Sequence, residues 1–527
     1  MTKRGTGPDI VLIVLDTLRA DRLSCYGHAT ETTPHLDAFA AGGVLFERAI
    51  SPAQWTIPAH ASLFTGEFPI THGTTQITDK HSAAHSTLAE QLVRLGYRTA
   101  GFCNNPLLGI IENDLDRGFQ EFYNYGGVLP NRPEITGRPR DLFRKAAAGV
   151  RGRLGRLNEP IQAAFTSDHR LLNFVLHPWL VALWERHINF KGNTRQSIQD
   201  LVGYMNRHHQ QRDAPPLFTY LNVMETHLPY RPPLTFSRKF APSFWQDRPA
   251  RRFMQSLNYR TYDWVAPIAT PFTAGEHRVL NEMYNAEVAF VDHALRSLLA
   301  HLDQPRVRDT TLVIITSDHG EGLDHHGYVG HSMVAYEDLV RVPLIVRYPP
   351  DYPAGTRVTH PVSTRRIFHT VLDAAGVSTL SRGEGELDVR PLSLRQSVNG
   401  GDRGGDWAWS EVYPIQTVVR LIERRHPDAI ARHRCLAVRR AIYDGTQKLL
   451  TVDGDAAELY DVQADPAEAH NRIDAEPETA ERLDRQLKQL LAEAGTGSAF
   501  DSSIPGQFSL DHSRRVSQRL RRLGYLE

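Results

Sequence analysis

Two short runs, Ile10–Leu15 (IVLIVL) and Leu312–Thr316 (LVIIT), carry no polar alternation, and each is stopped by an acid: Asp16 in the first, Asp318 just beyond the second. A strand apolar on both sides must be covered on both faces, which is the situation of a parallel sheet held between helices. In open sheets of that kind ligands gather beyond the carboxyl ends of the strands. Acids at two such ends are therefore candidates for metal or ligand chemistry, although Asp16 taken alone reads equally well as a helix N-cap.

The rest of the chain extends the same pattern. Val44–Ile50, Arg98–Phe102, Phe218–Val223 and Pro343–Val346 read as further strands, and Thr87–Leu95, Thr194–His208 and His277–Leu302 as helices between them. This alternation predicts an α/β fold with a large mixed, mostly parallel sheet sandwiched by helices. Residues 126–170 and 228–275 are rich in Pro, Arg and Gly and read as insertions over the sheet's rim. After Gly400 the pattern changes. Ala437–Tyr443 and Lys448–Val452 flank an Asp444-Gly445 turn, Glu458–Val462 follows, and Glu476–Ala494 is helical, so a small α+β domain with an antiparallel sheet is expected. Two domains result, 1–400 catalytic and 401–527 a small C-terminal domain and tail.

Sixty basic residues balance sixty acidic ones. That balance argues against broad electrostatic capture of nucleic acid, and no nucleic-acid partner is expected. The cysteines Cys25, Cys103 and Cys435 are an odd, sparse set without a CxxC pair, which fits a reducing compartment. The first apolar run is too short for a bilayer span and lacks a small-residue cleavage site after it. Leu171–Trp184 is interrupted by His177 and Pro178 and reads as a core or amphipathic helix. A cytoplasmic protein without a transmembrane segment is expected.

Four segments converge on acidic, imidazole and hydroxyl groups. Asp16 and Asp318-His319 form a mixed oxygen and nitrogen set suited to a divalent cation. His325, His326 and His331 crowd the following loop. In Trp55-Thr56-Ile57-Pro58, Thr56 precedes a short apolar helix and by default is its N-cap; the same place lets amide N–H groups and the helix dipole stabilise an anion. Met224-Glu225-Thr226-His227 lies just past another strand. Asn104 and Asn105 follow the Arg98–Phe102 strand and either line the pocket or simply make the turn.

The segments VLIVLDTLRAD, TIPAHASLFTG, LNVMETHLPY and TSDHGEGLDHHGYVGHSMVAYEDLVRVPLIV, in this order, resemble the sulfatase family of the alkaline phosphatase superfamily, and KLLTVDGDAAELYDVQADPAEAHN resembles that family's small terminal domain. The resemblance implies an alkaline phosphatase-like fold, Asp16, Asp318 and His319 as metal ligands with Thr56 at the nucleophile's position, and His227 and His331 on the substrate's anionic head or on a second metal. Three departures matter. Sulfatases carry Cys or Ser followed by x-Pro-Ser-Arg, oxidised to formylglycine; here Thr56 and His60 stand at the first and last of those positions, and Thr oxidises only to a ketone, so no formylglycine forms. His331, twelve residues after His319, replaces a usual Lys and resembles the phosphoethanolamine transferases, relatives with a Thr nucleophile. Thr17 replaces the second Asp of a pair, which moves the expected single cation from Ca²⁺ toward Zn²⁺ or Mn²⁺.

The expected activity is a metal-dependent hydrolase or transferase of phosphodiesters, phosphomonoesters or phosphonate esters through a covalent phospho-Thr56 intermediate. His227 and His331 meet the developing charge, His326 or His60 protonates the leaving oxygen, and His60, Asn104, Asn105 and Arg19 contact the substrate. A sulfuric-ester hydrolase using Thr56 directly is the alternative, and an inactive anion-binding protein of the same fold ranks third. The lack of GxGxxG after the first strand disfavours a dinucleotide oxidoreductase. The substrate expected is a small molecule, or a glycan or lipid-headgroup ester.

Overall fold

The computed structural model describes residues 7–126, 130–133, 191–259, 271–382, 385–400 and 407–495. Most of the 126–170 segment, the whole of Leu171–Trp184 and the tail after residue 495 lie outside them. The described chain contains β1 (Asp9–Leu15), β2 (Val44–Ile50), β3 (Arg98–Cys103), β4 (Glu121–Asn124), β5 (Leu217–Val223) and β6 (Thr311–Thr316). A short hairpin of β7 (Gly322–Leu323) and β8 (Val329–Gly330) follows, then β9 (Arg341–Arg347), β10 (Thr356–Val358) and β11 (Val362–Ser363), and a second hairpin of β12 (Thr379–Arg382) and β13 (Gly385–Asp388). The last strands are β14 (Trp409–Val412), β15 (Arg439–Asp444), β16 (Gln447–Val452) and β17 (Asp455–Asp461).

Nine strands form the main sheet in the order β10-β2-β9-β6-β1-β5-β3-β4, with β11 also on β2. Only β9 runs against its neighbours, so the sheet is mixed and mostly parallel, as the apolar runs require. Alternate residues of β1 feed two separate cores. Val11, Ile13 and Leu15 pack toward the helices Thr194–His209 and Ala274–Leu302; Ile10, Leu12 and Val14 pack toward Thr56–Thr65, Leu88–Arg94 and Arg366–Ala374. Sequence signals set several helix starts. Thr87 with Glu90, and Thr273 with Glu276, each make a full capping box, satisfying amide donors that a helix start leaves unpaired.

The central strand is β1, with β5 and β6 beside it, both parallel to it. Their carboxyl ends, with those of β2 and β3, open on one rim, so Asp16, Thr56, Asn105, His227 and Asp318 start from the same edge. The described part of the 228–275 insertion forms three helices, Leu234–Phe240, Pro242–Gln246 and Arg248–Tyr259, packed on the long helix Ala274–Leu302.

The second sheet is antiparallel, β14-β15-β16-β17, and Leu483 and Leu487 of the helix Pro477–Gly495 cover one of its faces. The turn between β15 and β16 is Gly445-Thr446, with Gly445 at φ +57, a value that suits glycine. This sheet is tied to the main body where Trp409 stacks on Phe68 with ring centroids 3.4 Å apart, Arg365 lying 4.5 Å over the other ring. Trp409→Ala should therefore lower stability by about 3–5 kcal/mol, read as a lower urea midpoint. A midpoint equal to wild type would show that this stack does not hold the two sheets together.

Candidate active site

Continuing the β1–β6 register beyond Val14–Thr316 brings Asp16 beside Asp318. Both are fully buried, and one ligand atom from each of Asp16, Asp318 and His319 falls within 4.8 Å of the others. Burial, and then the neighbouring Asp318 charge, push the Asp16 carboxyl well above its ordinary value. Burial likewise raises Asp318 to about 7, even though the amides of His319 and Thr17 donate to it. Thr17 reaches that position at φ +60, an uncommon conformation for a β-branched residue, and directs its N–H rather than its side chain at Asp318. Asp16 Oδ2 accepts from Asn105 Nδ2 at 2.6 Å, while Asp16 Oδ1 and Asp318 Oδ2 have no hydrogen-bond donor. Two buried carboxylate oxygens without donors, next to an imidazole, match the donor set of a divalent cation.

The imidazoles are oriented by one device. His319 Nδ1 donates to the Gly320 carbonyl at 2.9 Å, and His227 Nδ1 to the Leu228 carbonyl at 2.5 Å. His331 Nδ1 donates to Glu321 Oε1 at 2.7 Å. Fixing the proton on Nδ1 leaves Nε2 of each ring for the site. The ring of His331 lies 4.4 Å from His319 and 4.9 Å from His227. Burial lowers His319 well below its ordinary pKa and takes His227 to about 4. Burial also works against charge on His331, but the Glu321 carboxylate outweighs it and the net shift is upward.

Thr56 is the first residue of the helix Thr56–Thr65, and Trp55 is its N-cap. The expected capping role is thus corrected: Trp55 takes the extended cap conformation, and the Thr56 hydroxyl is left for the site. Thr56 Oγ1 lies 3.4 Å from His319 Nε2 and 3.5 Å from Asn105 Nδ2. Asp16 caps no helix either, since the next helical turn begins at Ala20 with Arg19 as its N-cap.

Comparison with known proteins identifies the family. Residues 8–377 match the family model described as Sulfatase, and residues 324–496 match that of the N-sulphoglucosamine sulphohydrolase C-terminal region. The chain belongs to the sulfatase family. Among relatives, an N-acetylglucosamine-6-O-sulfatase of Bacteroides thetaiotaomicron is 25% identical over 521 residues, covering 93% of this chain and 86% of its own. A choline-sulfatase of Rhizobium meliloti is 24% identical, covering 88% and 82%. Among solved structures, the phosphonate monoester hydrolase of Agrobacterium radiobacter superposes with a TM-score of 0.60 at 22% identity, over 92% of this chain and 96% of that one, a likeness of fold.

This sulfatase-family site does not gather every expected residue. His60 is buried, with Nδ1 donating to the Thr56 carbonyl at 2.9 Å and Nε2 accepting from the Tyr220 hydroxyl at 2.8 Å. Both nitrogens are engaged and burial lowers its pKa to about 4, so it braces the helix start and is not placed to donate a proton to a substrate. His326 is also displaced from its expected role. The β7–β8 hairpin turns residues 324–328 away from the rim, where His326 stacks on Tyr336 at 3.7 Å, and His331 returns to the rim after β8. Arg19 forks onto Asp21 with two 2.8 Å bonds and donates to the Glu321 carbonyl, lining a recess with His326. Asn104 turns aside, its Nδ2 on Thr194 Oγ1 at 2.9 Å.

Three residues not anticipated from the sequence complete the site: Glu321, Tyr220 and Asn222. Glu321 is fully buried; one oxygen holds His331 and the other accepts from the Leu228 amide at 3.4 Å. Its place two residues after His319 was the available signal. Tyr220 and Asn222 lie inside β5, where an apolar strand hides them; Asn222 adjoins both Asp16 and Tyr220. Among the described residues, Asp16, Asp318 and His319 are the only group of three or more candidate ligands this close, and His227 and His331 are not part of it.

A carboxyl whose folded pKa is raised contributes stability below its unfolded value, about 4, and loses it as pH rises through the folded value, here about 7. In chelator, Asp318→Asn should therefore melt like wild type in acid and above it at alkaline pH. Added Zn²⁺ or Mn²⁺ should raise the melting temperature of wild type and leave Asp318→Asn unmoved. Equal melting of both proteins in chelator at all pH values would mean that burial does not raise the Asp318 carboxyl.

Proposed function

We propose that this hydrolase of the sulfatase family cleaves an anionic ester with Thr56 as nucleophile. The observation that carries the reading is the Thr56 hydroxyl, at a helix start, within 3.4–3.5 Å of His319 and Asn105 and beside the buried Asp16–Asp318 pair. When bound, a divalent cation held by Asp16, Asp318 and His319 would supply positive charge that eases loss of the Thr56 proton; the nitrogen ligand and the single acid of Asp16-Thr17 favour Zn²⁺ or Mn²⁺ over Ca²⁺. Thr56 Oγ forms a bond to the central sulfur or phosphorus as the ester oxygen leaves in line. Helix-start amides hold the equatorial oxygens, while His227, neutral with its proton on Nδ1, offers Nε2 to the site only as an acceptor. His331, favoured as a cation by Glu321, protonates the departing oxygen. Water then attacks the same centre, giving its proton to the now neutral His331, and the bond to Thr56 Oγ breaks to restore the side chain.

The relatives named above support a sulfuric ester of a small molecule or sugar, and that class leads. One observation favours a second reading, a phosphate or phosphonate ester. Thr56 cannot form the aldehyde hydrate through which sulfatases expel sulfate, and a phospho-threonine is opened by ordinary attack of water at phosphorus. We further propose that residues 1–400 form the catalytic unit with 401–527 as a small second domain, and that the free thiols Cys25, Cys103 and Cys435 support a reducing, cytoplasmic setting.

The test compares wild type, Thr56→Ala and Thr56→Ser on matched p-nitrophenyl sulfate, phosphate, phosphodiester and phosphonate. The expected result is turnover lost by 10³-fold or more, roughly, in Thr56→Ala and partly retained in Thr56→Ser. Undiminished turnover in Thr56→Ala would refute the covalent mechanism, and the ester turned over fastest decides between sulfur and phosphorus.

A further inference from the structure

Among the described residues, the large hydrophobic side chains left exposed are Leu234 (51%), Trp245 (37%) and Tyr259 (61%), and all three lie in the segment Arg231–Tyr259. The same segment holds Arg231, Arg238, Lys239, Arg248, Arg251 and Arg252 against a single carboxylate, Asp247, in a chain whose formal charge is zero. Scattered exposed apolar residues are ordinary. Their confinement to a single, basic segment is not.

The side chains are arranged as one surface. On the helix Leu234–Phe240, Leu234 lies one turn from Arg238, whose guanidinium is 5.7 Å from the Trp245 ring; Arg251 approaches that ring at 5.8 Å. On the helix Arg248–Tyr259, Ala250, Phe253, Met254 and Leu257 face the protein. Arg248, Arg252, Gln255 and Tyr259 recur at helical spacing on the other side, all exposed. The loop of His227 is held against the buried side of the same helix: Tyr230 N–H donates to Asn258 Oδ1 at 2.8 Å, and Asn258 Nδ2 donates back to the Tyr230 carbonyl at 2.7 Å.

We propose that this face docks the protein on an anionic lipid bilayer, with Leu234, Trp245 and Tyr259 entering the boundary between headgroups and acyl chains and the arginines meeting lipid phosphates. Cations ringing exposed aromatic and aliphatic side chains are what an interfacial helix presents to such a surface. An acidic polysaccharide would engage the arginines and stack on the aromatic rings, but it gains nothing from an exposed aliphatic Leu234. The contact is peripheral, since no helix of the described residues is long and apolar enough to cross a membrane. Docking does not depend on which ester the site cleaves.

The test is sedimentation of the full chain with vesicles of phosphatidylcholine alone or mixed with phosphatidylglycerol, at low and high potassium chloride. Capture by the mixed vesicles, released by salt, is expected. Arg248→Gln and Arg252→Gln should each weaken vesicle affinity about five-fold, and Leu234→Ser with Trp245→Ser about ten-fold or more. These exposed substitutions should leave melting temperature and turnover of a soluble ester unchanged, which separates lost docking from lost folding or chemistry. Failure to bind the mixed vesicles, or binding that the substitutions do not weaken, overturns the proposal. Retention by dextran sulfate without vesicle binding also overturns it, in favour of an acidic polymer.

Discussion

Two carboxylates, Asp16 and Asp318, are held side by side in a fully buried place because the parallel pairing of β1 and β6 leaves them nowhere else to go. Like charges out of water repel strongly, and the local structure is organised around that cost. Amides of Thr17 and His319 and the side chain of Asn105 each give one hydrogen bond to the pair, which still leaves one oxygen on each acid without a donor. A resident cation is the economical completion of such an arrangement. The hydroxyl of Thr56 lies 3.5 Å from the same Asn105 amide that donates to Asp16.

Around this centre, the histidines are made directional by oxygen acceptors behind them. Backbone carbonyls suffice for His227 and His319, whereas His331 has the Glu321 carboxylate, which alters its charge as well as its orientation. The three rings thus differ in chemistry while sharing one geometry: two are held neutral by burial and one is favoured as a cation. His60 belongs to the same scheme one layer deeper, supporting the backbone from which Thr56 projects.

Much of this was legible in the residues. Apolar runs located six of the nine strands of the main sheet to within a residue or two, because doubly covered strands tolerate little else, whereas β4, β10 and β11 were not read, and the capping box at Thr273 starts its helix at Ala274 rather than at the expected His277. The site residues that sit immediately after strands, Asp16, His227, Asp318 and His319, were visible for the same reason. Residues acting from inside an apolar strand, Tyr220 and Asn222, were not, since the pattern that reveals a buried strand conceals its polar members. Of His325, His326 and His331, the sequence singled out His331 by its place twelve residues after His319 but also offered His326 as a proton donor, and the β7–β8 hairpin sends the first two away and brings the third back. Asn104 and Asn105 are neighbours in sequence and likewise diverge.

The sequence by itself determined the fold class, the rim on which the chemistry sits and the identity of the hydroxyl at position 56, because these follow from hydrophobic burial and from covalent chemistry. Tertiary structure alone decided which polar groups meet. It paired Glu321 with His331, gave both nitrogens of His60 other partners, turned Arg19 onto Asp21 and gathered the exposed apolar residues of 231–259 among arginines. Hydrogen bonds and charges act over a few ångströms between residues that lie far apart in the chain, and that separation is set by the packing of the whole sheet and its helices.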